Sequence, residues 1–172
     1  MDIALVAPEA IKIKGKLASF IVDPIDVKGK LAGDGILLLS PIAHSKLAPV
    51  EDSRIIMQGA GEYEISSIKI SGIKSEEATV YYIGLDNMVV MVGNASALKG
   101  KEVIRDADIA IIHADGVIDT SMLASLNPRV VVFYGAQAEQ AVKAIGKEVE
   151  PVNKYTVTRD KLPVEMEVVS LS

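Results

Sequence analysis

The chain has 172 residues, of which 49% are apolar and 24% charged, with no Cys and a formal net charge of -5. Such a length suits one domain with a packed core, and the apolar share excludes a disordered tail or linker. The acidic balance, without a dense Lys/Arg run, argues against a nucleic-acid partner, and the absence of Cys rules out disulfides and thiolate metal ligands.

Along the chain, Met1 to Pro8 has neither the basic nor the long apolar stretch of a secretory signal, so the expected location is cytoplasmic. Ile11 to Lys14 alternates apolar and charged residues; Gly15-Lys16 provides a turn, and Leu17 to Val22 a return strand, which together predict a hairpin. Strands are also predicted at Ile36 to Leu39, Arg54 to Met57, Tyr63 to Ile73 with a bend at Ser66-Ser67, Thr79 to Leu85 and Met88 to Val92. Asp86-Asn87 is the expected tight turn between the last two.

The second half changes pattern. Ile109 to Ile112 and Val130 to Phe133 are continuous apolar runs, as in strands covered on both faces. Between them Asp119-Thr120 predicts a capped helix through Ser125, and Ala136 to Lys147 predicts a second helix with Ala138, Ala141, Val142 and Ile145 on one face. Tyr155 to Thr158 and Glu165 to Leu171 read as closing strands. No apolar run approaches the ~20 residues of a membrane helix, so no membrane partner is expected.

Four segments carry a resemblance. Gly15 to Asp26 (GKLASFIVDPID), Gly59 to Ile65 (GAGEYEI), Asn127 to Phe133 (NPRVVVF) and Lys161 to Leu171 (KLPVEMEVVSL) occur in an order that resembles the metallo-β-lactamase superfamily. The similarity is to its predicted zinc-dependent hydrolase and lactonase-like branch, where the second segment reads GPGEYEV. The resemblance implies an α+β fold, a compact αββα sandwich made by a single domain over residues 1–172.

It also implies where metals belong, and those positions are substituted. The superfamily's Thr-His-x-His-x-Asp-His loop is similar in place to Ser40 to Lys46 (SPIAHSK). Pro41, Ala43, Ser45 and Lys46 then stand at ligand positions, and His44 at a spacer that points away. Pro and Ala bring no donor, Ser is a poor zinc ligand, and a protonated Lys repels a cation. Asn94 stands for the bridging Asp and Gly135 for the last His, while Ala7 to Ala10 takes the place of a Gly-His-Ser-Cys segment. Independently of any family, an imidazole-rich two-metal site needs about four or five His, and the chain has only His44 and His113.

These substitutions set the functional expectations: no catalytic residue, no metal and no cofactor. The leading reading is a non-catalytic protein acting through self-association or a related protein subunit. A second is a small-anion module in the vacated cleft of Ser40, Pro41, Ala43, Ser45, Lys46, Asn94 and Gly135, with Lys46 and Asn94 as ligands. A third is a hydrolase with an altered metal or mechanism. Lys46 is a candidate to pair with Glu62 or Asp34, His113 reads as structural or solvated, and Asp108, Asp115 and Asp119 as turn and cap residues rather than ligands of a hard cation. Gly59 to Glu64 reads as a turn and strand start, with Tyr63 packing.

Overall fold

In this computed structural model, which describes residues 1–99 and 103–172, the chain starts with an antiparallel meander of β1 (Asp2–Ala7), β2 (Ala10–Lys14) and β3 (Ser19–Val22). Next, β3 pairs in parallel with β5 (Gly35–Leu38), and β5 with β7 (Ile55–Gln58). A two-residue pairing of β4 (Leu31–Ala32) with β6 (Val50–Glu51) ties the intervening segments together.

A second meander follows: β8 (Gly61–Ile65), β9 (Ile68–Ser75), β10 (Ala78–Leu85) and β11 (Met88–Asn94). The chain then continues in parallel through β12 (Ile109–His113), α1 (Thr120–Leu126), β13 (Val130–Tyr134) and α2 (Ala138–Ala144). Finally, β14 (Lys154–Thr156) returns to β1, while β15 (Glu167–Ser170) joins β13. Two sheets result, in the orders β14-β1-β2-β3-β5-β7 and β15-β13-β12-β11-β10-β9-β8.

Between the sheets lies one apolar core, which includes Ile11, Ile13, Phe20, Leu37, Leu39, Ile70, Tyr81, Ile83 and Val132. Tyr81 crosses it from β10, its hydroxyl donating toward the carbonyls of Leu38 and Met57 on the other sheet. A buried hydroxyl so engaged fixes the two sheets relative to each other, because losing either partner exposes an unmade hydrogen bond in a dry interior. A second core, with Met91, Ala110, Ile112, Val131 and Phe133, lies under α1 and α2 on the far face of the seven-stranded sheet. On the outer side of the six-stranded sheet, Leu47, Pro49 and Val50 line a pocket together with Ile36 and Ile56. No helix among the described residues is long and apolar enough to cross a membrane.

Local chemistry explains most element ends. Asp119 caps α1 by accepting a bond from Ser121 N at 2.8 Å, and Asn127 ends the helix in the left-handed region at φ 47°. Asp86 and Asn87, at φ 52° and 63°, form the expected turn between β10 and β11. Ser66 and Ser67 also have positive φ, 50° and 65°. They therefore reverse the chain completely, so the stretch expected as one bent strand from Tyr63 to Ile73 is the β8–β9 hairpin. The second helix is shorter than Ala136 to Lys147, because Ile145 leaves helical geometry and Gly146 has φ +71°. β1 was not among the expected strands; its DIALVA sequence lacks alternation, and only Ile3 of its six residues is fully enclosed.

Candidate functional site

Three parallel strands end in one row. The register pairs Asn94 with His113 and His113 with Tyr134. Aligned residues of parallel strands point to the same face, here the face that meets the other sheet. In sheets of this kind the carboxyl ends of parallel strands are where ligands collect, because loops diverge there and leave a crevice. Two further groups reach this row: Asp23, after β3, and Glu9, in the turn between β1 and β2.

A continuous hydrogen-bonded chain links Glu9, His113, Asn94 and Ser40. Glu9 Oε2 is hydrogen-bonded to His113 Nε2, and the same carboxylate accepts Ala136 N through Oε1 at 3.0 Å. The other ring nitrogen, His113 Nδ1, meets Asn94 Oδ1 at 3.2 Å, and Asn94 Nδ2 donates to Ser40 Oγ at 3.1 Å. Orientation at Asn94 thus follows from its partners: its amide nitrogen is on Ser40 and its oxygen faces Nδ1. The His113 ring also packs against Tyr134 with centroids 5.1 Å apart.

Gly135 makes room for this arrangement. It adopts φ +96°, and a Cβ there would stand 2.8 Å from His113 Cδ2, 2.9 Å from its Nε2 and 3.0 Å from Glu9 Oε2. The His113–Glu9 pair therefore occupies the space into which any side chain at position 135 would extend.

Electrostatics are unusual at two buried groups. Burial pushes the Asp23 carboxyl up to about 6, although its bond from Leu39 N at 3.0 Å and the nearby His113 both pull it down. Burial likewise raises the Tyr134 hydroxyl well above its ordinary range, with the carboxylates of Asp23, Glu9 and Asp115 pushing the same way. That hydroxyl finds no hydrogen-bond partner among the described residues. A neutral phenol surrounded by carboxylates is the one loose polar end in an otherwise closed network.

Of the residues expected at the cleft, Ser40, Asn94 and Gly135 are gathered here. Pro41, Ala43, Ser45 and Lys46 are exposed, in the loop that carries the short 3-10 turn His44–Lys46. His44 faces away from the row and bonds Gln58 at 3.1 Å. The pairing considered for Lys46 is not formed among the described residues: Asp34 faces Arg54 at 3.8 Å and accepts Ser19 N, while Glu62 accepts Ser71 Oγ. Both polar atoms of Asn94 are engaged within the chain. Asp119 caps α1, Asp115 accepts Ser96 N, and Asp108 accepts Val89 N and pairs with Arg159. Glu9 and Asp23 were not singled out from sequence. A carboxylate in a tight Pro-Glu turn, within the Ala7 to Ala10 segment already set beside Gly-His-Ser-Cys, was the available signal for the first.

The donor set does not fit the two-metal centre that the superfamily implies. Among the described residues no three His, Asp or Glu side chains are arranged to hold a metal ion. Positions 41, 43 and 135 have no donor at all, and the Glu9 and His113 donors are directed at each other.

Beside this network opens a cavity of about 700 Å³, bounded by Leu5, Pro8 and Glu9, by Gly135 and Ala136, by α2, and by Val149, Pro151 and Leu171. Glu9 belongs to both the network and the cavity wall. Volumes of this size are typical of small-molecule sites.

No sequence-family model matches the chain, and no curated protein does. Solved structures do. A Thermotoga maritima protein provisionally described as a Zn-dependent hydrolase of the metallo-β-lactamase superfamily superposes with a TM-score of 0.74 at 16% identity, over 99% of this chain and 98% of that one. A variant of the CmlA β-hydroxylase aligns with a TM-score of 0.57 at 10% identity, over 97% of this chain and 52% of that one. A diiron CmlA β-hydroxylase from Streptomyces venezuelae aligns at 0.52 and 10% identity, over 87% of this chain and 47% of that one, so this chain spans about half of that enzyme. The α+β architecture expected from the sequence is thus shown: it is the compact metallo-β-lactamase fold.

Proposed function

We propose that this chain uses the metallo-β-lactamase fold as a non-hydrolytic binding protein, taking a small molecule in the cavity beside the Glu9–His113 pair. One observation carries the reading: the space at Gly135, where the resembling family brings its last metal ligand, is filled by a carboxylate and an imidazole bonded to each other. Side chains already paired leave no open coordination position and no free base to activate water. The adjoining cavity keeps the shape and apolar lining of a ligand site.

The test combines two measurements. Protein incubated with Zn²⁺, desalted and analysed for metal is expected to retain less than one equivalent and to turn over no phosphodiester, lactone or ester. Stoichiometric zinc together with chelator-sensitive turnover overturns the non-hydrolytic part. Methyl NMR with a fragment library is expected to shift Leu5, Val142 and Leu171, and Val142→Lys to abolish those shifts. Fragments that leave these three signals unmoved overturn the cavity.

A second reading, association with a related subunit or another copy, has its own support at the opposite end of the molecule. Leu17, Val89, Val164 and Met166 are exposed apolar residues. Their segments are drawn to one end by the bonds Lys16 N to Asp86, Val89 N to Asp108, Arg159 to Asp108 and Arg129 to Pro163 O. Sedimentation analysis tests it: a dimer that dissociates in a Leu17→Lys/Val164→Lys double variant supports association, and a monomer at all concentrations together with no co-purifying subunit removes it.

A further inference from the structure

The cavity has two unlike parts. Leu5, Val142, Val149, Pro151 and Leu171 make an apolar trough, while Glu9, Gly135 and Ala136 form its polar end. Along the rim, Lys143 pairs with Glu139 at 2.6 Å, and Lys147 and Glu148 add one charge of each sign. The rim therefore selects for no charge, and the polar end decides what fits.

That end is a cradle for a carboxylate. One oxygen of Glu9 takes the Ala136 amide at 3.0 Å, the other takes His113 Nε2, and the absence of a side chain at Gly135 lets the group approach both. An N–H from the backbone and one from an imidazole, set side by side, match the two oxygens of a carboxylate and offer nothing to an ammonium. The occupant is the chain's own residue, yet it is loosely held. The Glu9 side chain keeps 46% of its surface exposed. It stands in a turn beside an irregularity in the β1–β2 register between Leu5 and Ala7, so it can swing out without breaking a ladder bond.

We propose that the cavity binds a small carboxylate with an apolar tail, whose headgroup displaces Glu9 from His113 and the Ala136 amide while the tail lies in the trough. Glu9 then acts as a tethered competitor that closes the cradle when no ligand is present. This specifies the ligand class for the cavity reading above and rests on it.

Calorimetric titration with octanoate, octylamine and octanol tests the proposal on the full chain. Octanoate is expected to bind best, and Glu9→Ala to tighten octanoate by about tenfold or more, because the competitor at high effective concentration is gone, while octylamine gains nothing. Glu9→Gln, which keeps the turn but loses the charge, is expected to give a smaller gain in the same direction and serves if the alanine variant does not fold. In ¹⁵N spectra octanoate is expected to shift the His113 ring nitrogens. Unchanged or weaker octanoate binding in both Glu9 variants overturns the proposal, as does octylamine binding the wild type more tightly than octanoate. Octylamine or octanol shifting the Leu5 and Val142 methyl signals where octanoate does not removes the carboxylate and leaves the cavity standing. No shift from any of the three removes both.

Discussion

Two regions stand where the resemblance would place metal ligands, and the chain builds them in opposite ways. The loop from Pro41 to Lys46 is exposed at Pro41, Ala43, Ser45 and Lys46, and its polar groups are open to water. In the row of strand ends Asn94 and Tyr134 are buried and His113 and Gly135 half-buried, and each side-chain polar group there except the Tyr134 hydroxyl is bonded within the chain. Burial accounts for the contrast. An unmade hydrogen bond in a dry interior costs about 1–3 kcal/mol, whereas at a surface water makes it. Polar groups in the row therefore need partners such as Glu9, and those in the loop do not.

That contrast breaks most sharply at Gly135. Gly135→Ala places a methyl against His113 and Glu9 in a left-handed backbone, and a loss of about 3 kcal/mol is expected in urea denaturation. A loss under about 0.5 kcal/mol, the range of an ordinary surface substitution, means that the paired side chains do not fill this space.

Asp23 comes next and adds a pH dependence. Its carboxyl is raised from the ordinary 3.8 to about 6, so the folded chain holds this proton to a higher pH than the unfolded chain does. Stability from this group is full below about pH 4, falls as pH rises to about 6 and stays low above, a difference of roughly 3 kcal/mol. Asn accepts the Leu39 amide equally well and tolerates the φ of 44° at this position. Asp23→Asn is therefore expected to stabilise the protein by about 2 kcal/mol at pH 7 and to flatten the slope between pH 4 and 6. An unchanged slope places the charge elsewhere.

Tyr134→Phe sharpens the comparison from within the row. Deleting a buried hydroxyl that has no partner among the described residues is expected to raise stability by about 1 kcal/mol; a loss of similar size assigns that hydroxyl a bonded role. The smallest effect belongs to the loop. Lys46→Ala is expected to change stability by less than about 0.5 kcal/mol, and a larger loss in the same denaturation series means that the loop is held as firmly as the row.

Several features of the fold were legible because they depend on local chemistry. The apolar runs Ile109 to Ile112 and Val130 to Phe133 are interior strands of the seven-stranded sheet, covered on both faces as such sequences require. Asp119 and the Asp86-Asn87 pair mark a helix start and a turn through bonds and backbone angles specific to those residue types. The β8–β9 reversal was less legible, because Ser66 and Ser67 have no strong preference for the left-handed region that the turn requires.

By itself, the sequence determined that an imidazole-rich metal pair has no place here, since two His and no Cys set a limit that no folding overcomes. Only the tertiary structure decided what stands there instead. Glu9 and His113 are 104 residues apart, and neither has a local pattern that announces the other. They meet because the register of three parallel strands lines up His113 with Asn94 and Tyr134, while the β1–β2 turn delivers a carboxylate from the opposing sheet. Pairings of that kind arise from the packing of two sheets, a long-range outcome that residue-by-residue preferences do not encode.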